Sequence, residues 1–88
     1  MGRMSKKKIK EVFNNTFDGQ PNFLTPKVLD YRQVGDYLVE LSYGHKVFNE
    51  NRDVYGVTVL SSTGKHLTKL CNSFASKKEA EEYIDSLS

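Results

Sequence analysis

The stretch Tyr37-Leu38-Val39-Glu40-Leu41-Ser42-Tyr43 decides the fold class, because its polarity alternates with a period of two. Tyr37, Val39, Leu41 and Tyr43 share one face, while Leu38, Glu40 and Ser42 share the other, as in a strand with one buried face. Working outward, Gly35-Asp36 stands just before it. A two-residue turn that opens with glycine fits a type II′ hairpin, which makes residues 28–34 the partner strand. On the other side, residues 44–53 read as a loop, polar except for Val47 and Phe48. Residues 54–60 are the next strand, with Tyr55, Val57 and Val59 on one face. Ser61-Ser62-Thr63-Gly64 is a turn signal. Residues 66–71 then return as a fourth strand, in which only Leu67, Leu70 and Cys71 are apolar.

Helical spacing appears at both ends. In residues 6–17, Ile9, Val12 and Phe13 fall at i, i+3 and i+4, Lys7 and Glu11 form an i, i+4 pair, and Asn14 and Asn15 favour an end. Three consecutive lysines at its start oppose the helix dipole. Residues 18–26 are a connector rich in turn formers, with Pro21 and Pro26 biasing their neighbours to extended geometry. The last helix spans 76–87. Ser76 and Glu79 have capping-box spacing, and Ala80, Tyr83, Ile84 and Leu87 make one apolar stripe opposite Lys77, Lys78, Glu81, Glu82 and Asp85. A helix of this length needs a surface to pack on. The expected architecture is therefore α+β: a small three- or four-stranded antiparallel sheet, the C-terminal amphipathic helix on one face, and a short N-terminal helix.

The 88 residues are 38% hydrophobic and 27% charged, too apolar for a disordered chain and too polar for a membrane protein. No apolar run approaches the roughly 18 residues of a membrane span, and the basic start lacks the apolar region of a secretory signal. A single cysteine, Cys71, excludes an internal disulfide framework and suits a reducing, cytoplasmic setting. Residues 1–10 hold Arg3, Lys6, Lys7, Lys8 and Lys10 with no acid, and Met4 offers a second candidate start. Residues 11–88 hold eight basic and eleven acidic side chains, a net −3. The expected organisation is a flexible basic arm over 1–10 and a single α+β domain over 11–88. The arm suits either contact with phosphates or a solvated terminus.

Nothing in the sequence has a catalytic arrangement. There is no nucleophile elbow, phosphate-binding glycine loop, dinucleotide fingerprint or HExxH. His45, His66 and Cys71 would lack a fourth zinc ligand and match no known spacing, so neither metal nor cofactor is expected. A nucleophilic Cys71–His66 pair is disfavoured, because an odd separation along a regular strand points two side chains to opposite faces. No catalytic residue is assigned, and the chain reads as non-enzymatic. Tyr31, Tyr37, Tyr43 and Tyr55 fall on successive strands, where they could stack bases or anchor a protein but would equally serve as the core. Phe48, in a polar loop, and Tyr43 are the candidate contacts for a protein partner.

Residues 55–87, YGVTVLSSTGKHLTKLCNSFASKKEAEEYIDSL, resemble the last strands and helix of the arm-type DNA-binding domains of phage and transposon integrases. Tyr55, Gly64, Lys65, Phe74, Lys77, Lys78, Glu79 and Ala80 are the positions that match. In that family a three-stranded sheet enters the DNA major groove, and the resemblance implies this role for Lys65, Lys69 and Thr68. Residues 54–60 depart from the pattern, carrying none of the Arg and Lys that stud those strands. Double-stranded RNA-binding domains share an α-β-β-β-α order and a Lys-Lys helix start. The segments GDYLVELSYG, DVYGVTVL and NSFASKKEAEEYI also resemble short uncharacterised proteins of phages and mobile elements of low-GC Gram-positive bacteria. Two functions follow as expectations. One is a nucleic-acid-binding accessory protein of a phage or mobile element, using Lys6, Lys7, Lys8, Lys10, Lys65, Lys69 and Lys77. The other is a small protein-binding module or inhibitor that acts on a host or partner protein.

Overall fold

In the computed structural model, which describes residues 3–48 and 50–88, the chain is an α+β fold built on one four-stranded antiparallel sheet. Helix α1 (Lys6–Thr16) is followed by β1 (Lys27–Val34), β2 (Tyr37–Lys46), β3 (Arg52–Ser61), β4 (Asn72–Phe74) and α2 (Lys77–Ser86). The strands lie side by side in chain order, β1-β2-β3-β4. Gly35 takes the left-handed conformation the β1–β2 turn requires (φ +58°). The loop after β2 is shorter than the sequence suggests, since His45 and Lys46 pair with Asp53 and Arg52. Asn49, counted with that loop, lies outside the described residues.

The sheet is covered on both faces. On one, Val39, Leu41, Val57 and Val59 meet Ala80 and Ile84 of α2. On the other, Leu38 and Leu60 meet Ile9 and Phe13 of α1. Each fully buried aliphatic or Phe side chain contributes roughly 1.5–3 kcal/mol. The tyrosines divide between the faces. Tyr31 packs on Phe13 with ring centroids 5.4 Å apart. Tyr37 and Tyr55 pack on the α2 side, and Tyr43 lies 5.2 Å from Tyr55.

α1 holds despite its three N-terminal lysines. Ser5 caps it by accepting the Lys8 N–H at 3.2 Å, and Lys6 pairs with Asp30 of β1. The backbone N–H of Met4 donates to Gln33 Oε1 at 2.6 Å, and Thr16 donates to the Gly64 carbonyl at 2.9 Å. The helix thus runs across the strands from β1 to the turn after β3. Residues 6–10, counted with the basic arm in the sequence, are accordingly the first part of helix α1. Asn14 and Asn15 remain helical, and the left-handed Asp18 and Gly19 follow the helix end. Lys8, not Lys7, faces Glu11, at 3.6 Å.

The expected fourth strand over 66–71 does not form. His66 makes a single bridge to Leu60, Thr68–Leu70 is a 3-10 turn, and β4 begins at Asn72. Leu67, Leu70 and Cys71 have helical spacing, which lets them pack beside the α2 core, and Tyr83 fastens the turn by donating to the Leu70 carbonyl at 2.6 Å. α2 starts as its sequence indicates, with Ser76 Oγ accepting the Glu79 N–H at 3.2 Å. Glu81, however, pairs with Arg32 of β1 at 2.6 Å, and Arg32 also holds Asp30 at 2.9 Å. The chain Lys6–Asp30–Arg32–Glu81 wraps the β1 edge and ties both helices to it.

Candidate functional site

The polar face of β2 is where the structure departs furthest from a solvated sheet. Ser42 and Thr58 of the sheet and Thr25 of the connector are all buried. Ser42 Oγ donates to the Gly56 carbonyl at 3.3 Å and lies 2.8 Å from Thr25 Oγ1. Its single proton is therefore committed to Gly56, and Thr25 is the donor in the second bond. The connector reaches this depth because two glycines sit beneath it. A Cβ at Gly44 would stand 1.9 Å from the Leu24 carbonyl oxygen, and one at Gly56 would stand 2.7 Å from Thr25 Oγ1. Asn22 shapes the same turn, with its Oδ1 accepting the Leu24 N–H at 3.0 Å.

Between the connector and the C-terminal half of α1 the sheet is left open, forming a cavity of about 580 Å³. That size lies within the range of small-molecule pockets, about 300–1,000 Å³. Phe13 and Phe17 line it from α1, Leu24 and Thr25 from the connector, and Glu40 and Thr58 from the sheet. Glu40 is half-buried and opposes Tyr31 in the strand register. Burial pushes its carboxyl above the usual range, opposed by a hydrogen bond from the Tyr31 hydroxyl. Burial, with the adjacent Glu40 charge and that same bond, pushes Tyr31 up to about 12.

His66 and Cys71 also line this cavity, and they do meet: Cys71 Sγ lies 3.3 Å from His66 Nε2. The strand argument against the pair fails because the intervening chain is a 3-10 turn. Their meeting has a structural use. The turn pulls the chain away from β3, and Cys71 Sγ accepts the Val59 N–H at 3.3 Å where a regular ladder would supply a carbonyl. Burial pushes the thiol up, against the pull of that backbone bond, so Cys71 is not an activated thiolate. His66 packs edge-on to Phe17 at 5.0 Å. His45 is elsewhere, at the far end of β2, between Asp53 (2.8 Å) and Asn51 (2.9 Å).

The lysines singled out from the sequence are dispersed. Lys6, Lys7, Lys8 and Lys10 occupy the β1 end of α1, with Lys6 held by Asp30 and Lys8 by Glu11. Lys65 lies in the turn at the opposite end of α1, Lys69 in the 3-10 turn, and Lys77 at the start of α2 on the other side of the sheet. The open sheet face implied by the integrase resemblance is not present, because α1 with the connector covers one side and α2 the other. Thr68 and Lys69 are not on a strand.

Large apolar side chains are exposed instead at one end of the molecule. Phe48 is 85% exposed and Phe23 94%, joined by Val47 and Leu24. The Leu24 backbone rests on Gly44, three residues before Val47 in β2, so the connector tip and the β2–β3 loop border the same end of the sheet. Tyr43 is half-buried there and donates to Asp53 Oδ1 at 2.7 Å. The sequence reading does not single out Phe23 and Leu24, although two large apolar residues between Pro21 and Pro26, in a connector of turn formers, are a signal for exposure. Among the described residues, no helix is long and apolar enough to cross a membrane. Compared with known protein families, with curated proteins and with solved structures, the chain matches none.

Proposed function

We propose that this chain is a non-enzymatic binding module that engages a protein partner through the apolar end formed by the connector tip and the β2–β3 loop. The observation that supports this reading is the exposure of Phe23 and Phe48 on neighbouring segments. Aromatic side chains of this kind are the usual anchors of interfaces. Their surroundings are polar and ion-paired, with Lys46 to Glu50 at 2.8 Å and Arg52 to Glu50 at 3.4 Å, which resembles the rim around an apolar centre. The test is capture of partners from a nuclease-treated bacterial lysate with wild type, Phe48→Ala and Phe23→Ala. A stoichiometric protein lost with either variant, while both variants keep their melting temperature, supports the reading. Capture that is indifferent to both variants overturns it.

A second reading, a nucleic-acid-binding accessory protein of a phage or mobile element, draws support from the start of α1. Its first turn has no acid and includes the exposed Lys7, and Lys10 is exposed one turn further on; a helix N-terminus favours phosphate. Fluorescence anisotropy with duplex DNA, single-stranded DNA and duplex RNA at two salt concentrations tests it. The reading expects log affinity to fall with log salt by about 0.9 per phosphate neutralised on duplex DNA, and to weaken in a Lys7→Ala/Lys10→Ala variant. Flat salt dependence with all three nucleic acids overturns it.

A further inference from the structure

The cavity between α1 and the connector holds a carboxyl group that no ion pair reaches among the described residues; the one base in its lining, His66, is turned to Cys71 Sγ. Of the described residues that line it, none is Lys or Arg, and Glu40 is the only acid. In the strand register Glu40 stands opposite Tyr31, a neutral group. The neighbouring acid–base chain runs along the other side of β1, through Asp30, Arg32 and Glu81, and does not include Glu40. Phe13 and Phe17 line the same cavity, and Thr58 stands opposite Glu40 in the strand register.

We propose that this cavity binds a small organic cation with an apolar body, its ammonium group on Glu40 and its hydrocarbon part against Phe13 and Phe17. Three features of the site favour this class. A cation supplies the countercharge that the fold does not, and a partly desolvated carboxylate gains most from a direct ion pair. Aromatic faces attract a cation through their ring quadrupoles, adding to the apolar contact with its body. A like-charged ligand is rejected, because a second carboxylate beside Glu40 would be repelled in a low-dielectric site. A neutral ligand of the same shape gains only the apolar contact. The proposal goes beyond the protein-contact reading: the connector, through Leu24, borders both the cavity and the apolar end, but Glu40 lines the cavity while Phe23 and Phe48 do not.

Calorimetry with phenethylammonium, 2-phenylethanol and phenylacetate separates these contributions, because the three share a ring and differ in charge. The expected result is saturable binding of phenethylammonium, with the alcohol weaker by about tenfold or more and the anion weaker still. Glu40→Gln keeps the side-chain volume and an acceptor for Tyr31. It should weaken the ammonium by about the same factor and leave the alcohol unchanged. In carbon-13 spectra of the wild type, phenethylammonium should move the Glu40 carboxyl titration down toward its ordinary range. Absence of saturable phenethylammonium binding, equal affinity for the alcohol, or indifference to Glu40→Gln each overturns the proposal. Loss of phenethylammonium binding in Phe48→Ala would overturn it too, since that residue belongs to the other surface.

Discussion

On the α2 side of the sheet, Val39, Leu41, Val57 and Val59 close directly on Ala80 and Ile84, and the core cluster there is wholly apolar. On the α1 side, Leu38 and Leu60, with Tyr31 beside them, meet the apolar residues of α1, while Glu40, Ser42 and Thr58 continue the same face. One strand supplies both environments, because successive side chains of β2 point to opposite sides. The α2 face buries area with little directional constraint. The α1 face must satisfy each buried polar group, and it does so with a connector that brings Thr25 onto Ser42. What remains unfilled there is a cavity. The contrast teaches that a polar strand face signals a solvated surface only when no other segment can reach it. Here Gly44 and Gly56 admit one.

The largest effect should come from breaking the apolar face. Ile84→Asp places an unpaired charge where the side chain is fully buried and should cost more than about 4 kcal/mol, enough to abolish the folded state in circular dichroism. Thr58→Val on the opposite face should leave the protein folded. An Ile84→Asp protein with native amide dispersion would mean that the two faces are not unequal in this way.

Gly44→Ala attacks the α1 face through its cover. Its methyl group cannot coexist with the Leu24 carbonyl, so the connector must lift. The expected loss is about 1–3 kcal/mol in denaturant midpoints, with amide shift changes centred on residues 22–25. Changes that spread instead to α2 would contradict the separation of the two faces. Cys71→Ala sharpens the comparison at the outer edge of β3. It leaves the buried Val59 N–H without its sulfur acceptor and should cost about 1–2 kcal/mol, whereas Cys71→Ser should retain part of that contact. Equal stability of both variants with wild type would remove the structural role assigned to the thiol.

The two sides also differ in how stability follows pH. Glu40 is raised in the folded protein, so the native state binds its proton more tightly than the unfolded chain does. Ionisation of Glu40 therefore erodes stability as pH climbs from its ordinary value of 4.5 through the raised folded value. Glu40→Gln should lack this decline and gain relative to wild type over that window. Asp30 behaves oppositely. Burial alone would raise it, but hydrogen bonds from Lys6 and Arg32 outweigh burial and hold it below the ordinary 3.8. Its contribution is complete above 3.8 and is lost as pH falls through the lowered value, so Asp30→Asn should flatten the acid limb. Denaturation midpoints between acidic and neutral pH check both signs.

The smallest effect lies at His45. Hydrogen bonds to Asp53 and Asn51 raise it above its ordinary 6.5, so the β2–β3 end should be tighter below 6.5 and should loosen as pH rises through the folded value. Histidine titration by proton NMR in wild type and Asp53→Asn checks this. An unchanged midpoint in the variant would break the assignment.

The sequence by itself determined the parts whose causes are local. Ser76 with the 80, 83, 84 and 87 stripe specifies α2, the alternation in residues 37–43 specifies β2, and Gly35 specifies the turn before it. These follow from backbone capping, side-chain periodicity and a permitted positive φ, each set within a few residues. The antiparallel pairing of β1, β2 and β3 follows from the same local signals, since short connections join these strands. The tertiary structure alone decided what covers Glu40, Ser42 and Thr58, because that depends on where residues 17–25 cross a sheet formed 15 or more residues later. It decided that Leu67, Leu70 and Cys71 turn inward as a 3-10 segment, bringing Cys71 to His66. It also decided that Glu81 of α2 answers Arg32 of β1. Alternation states which side chains share a face, but only the packed chain states whether water, a helix or a connector lies over that face.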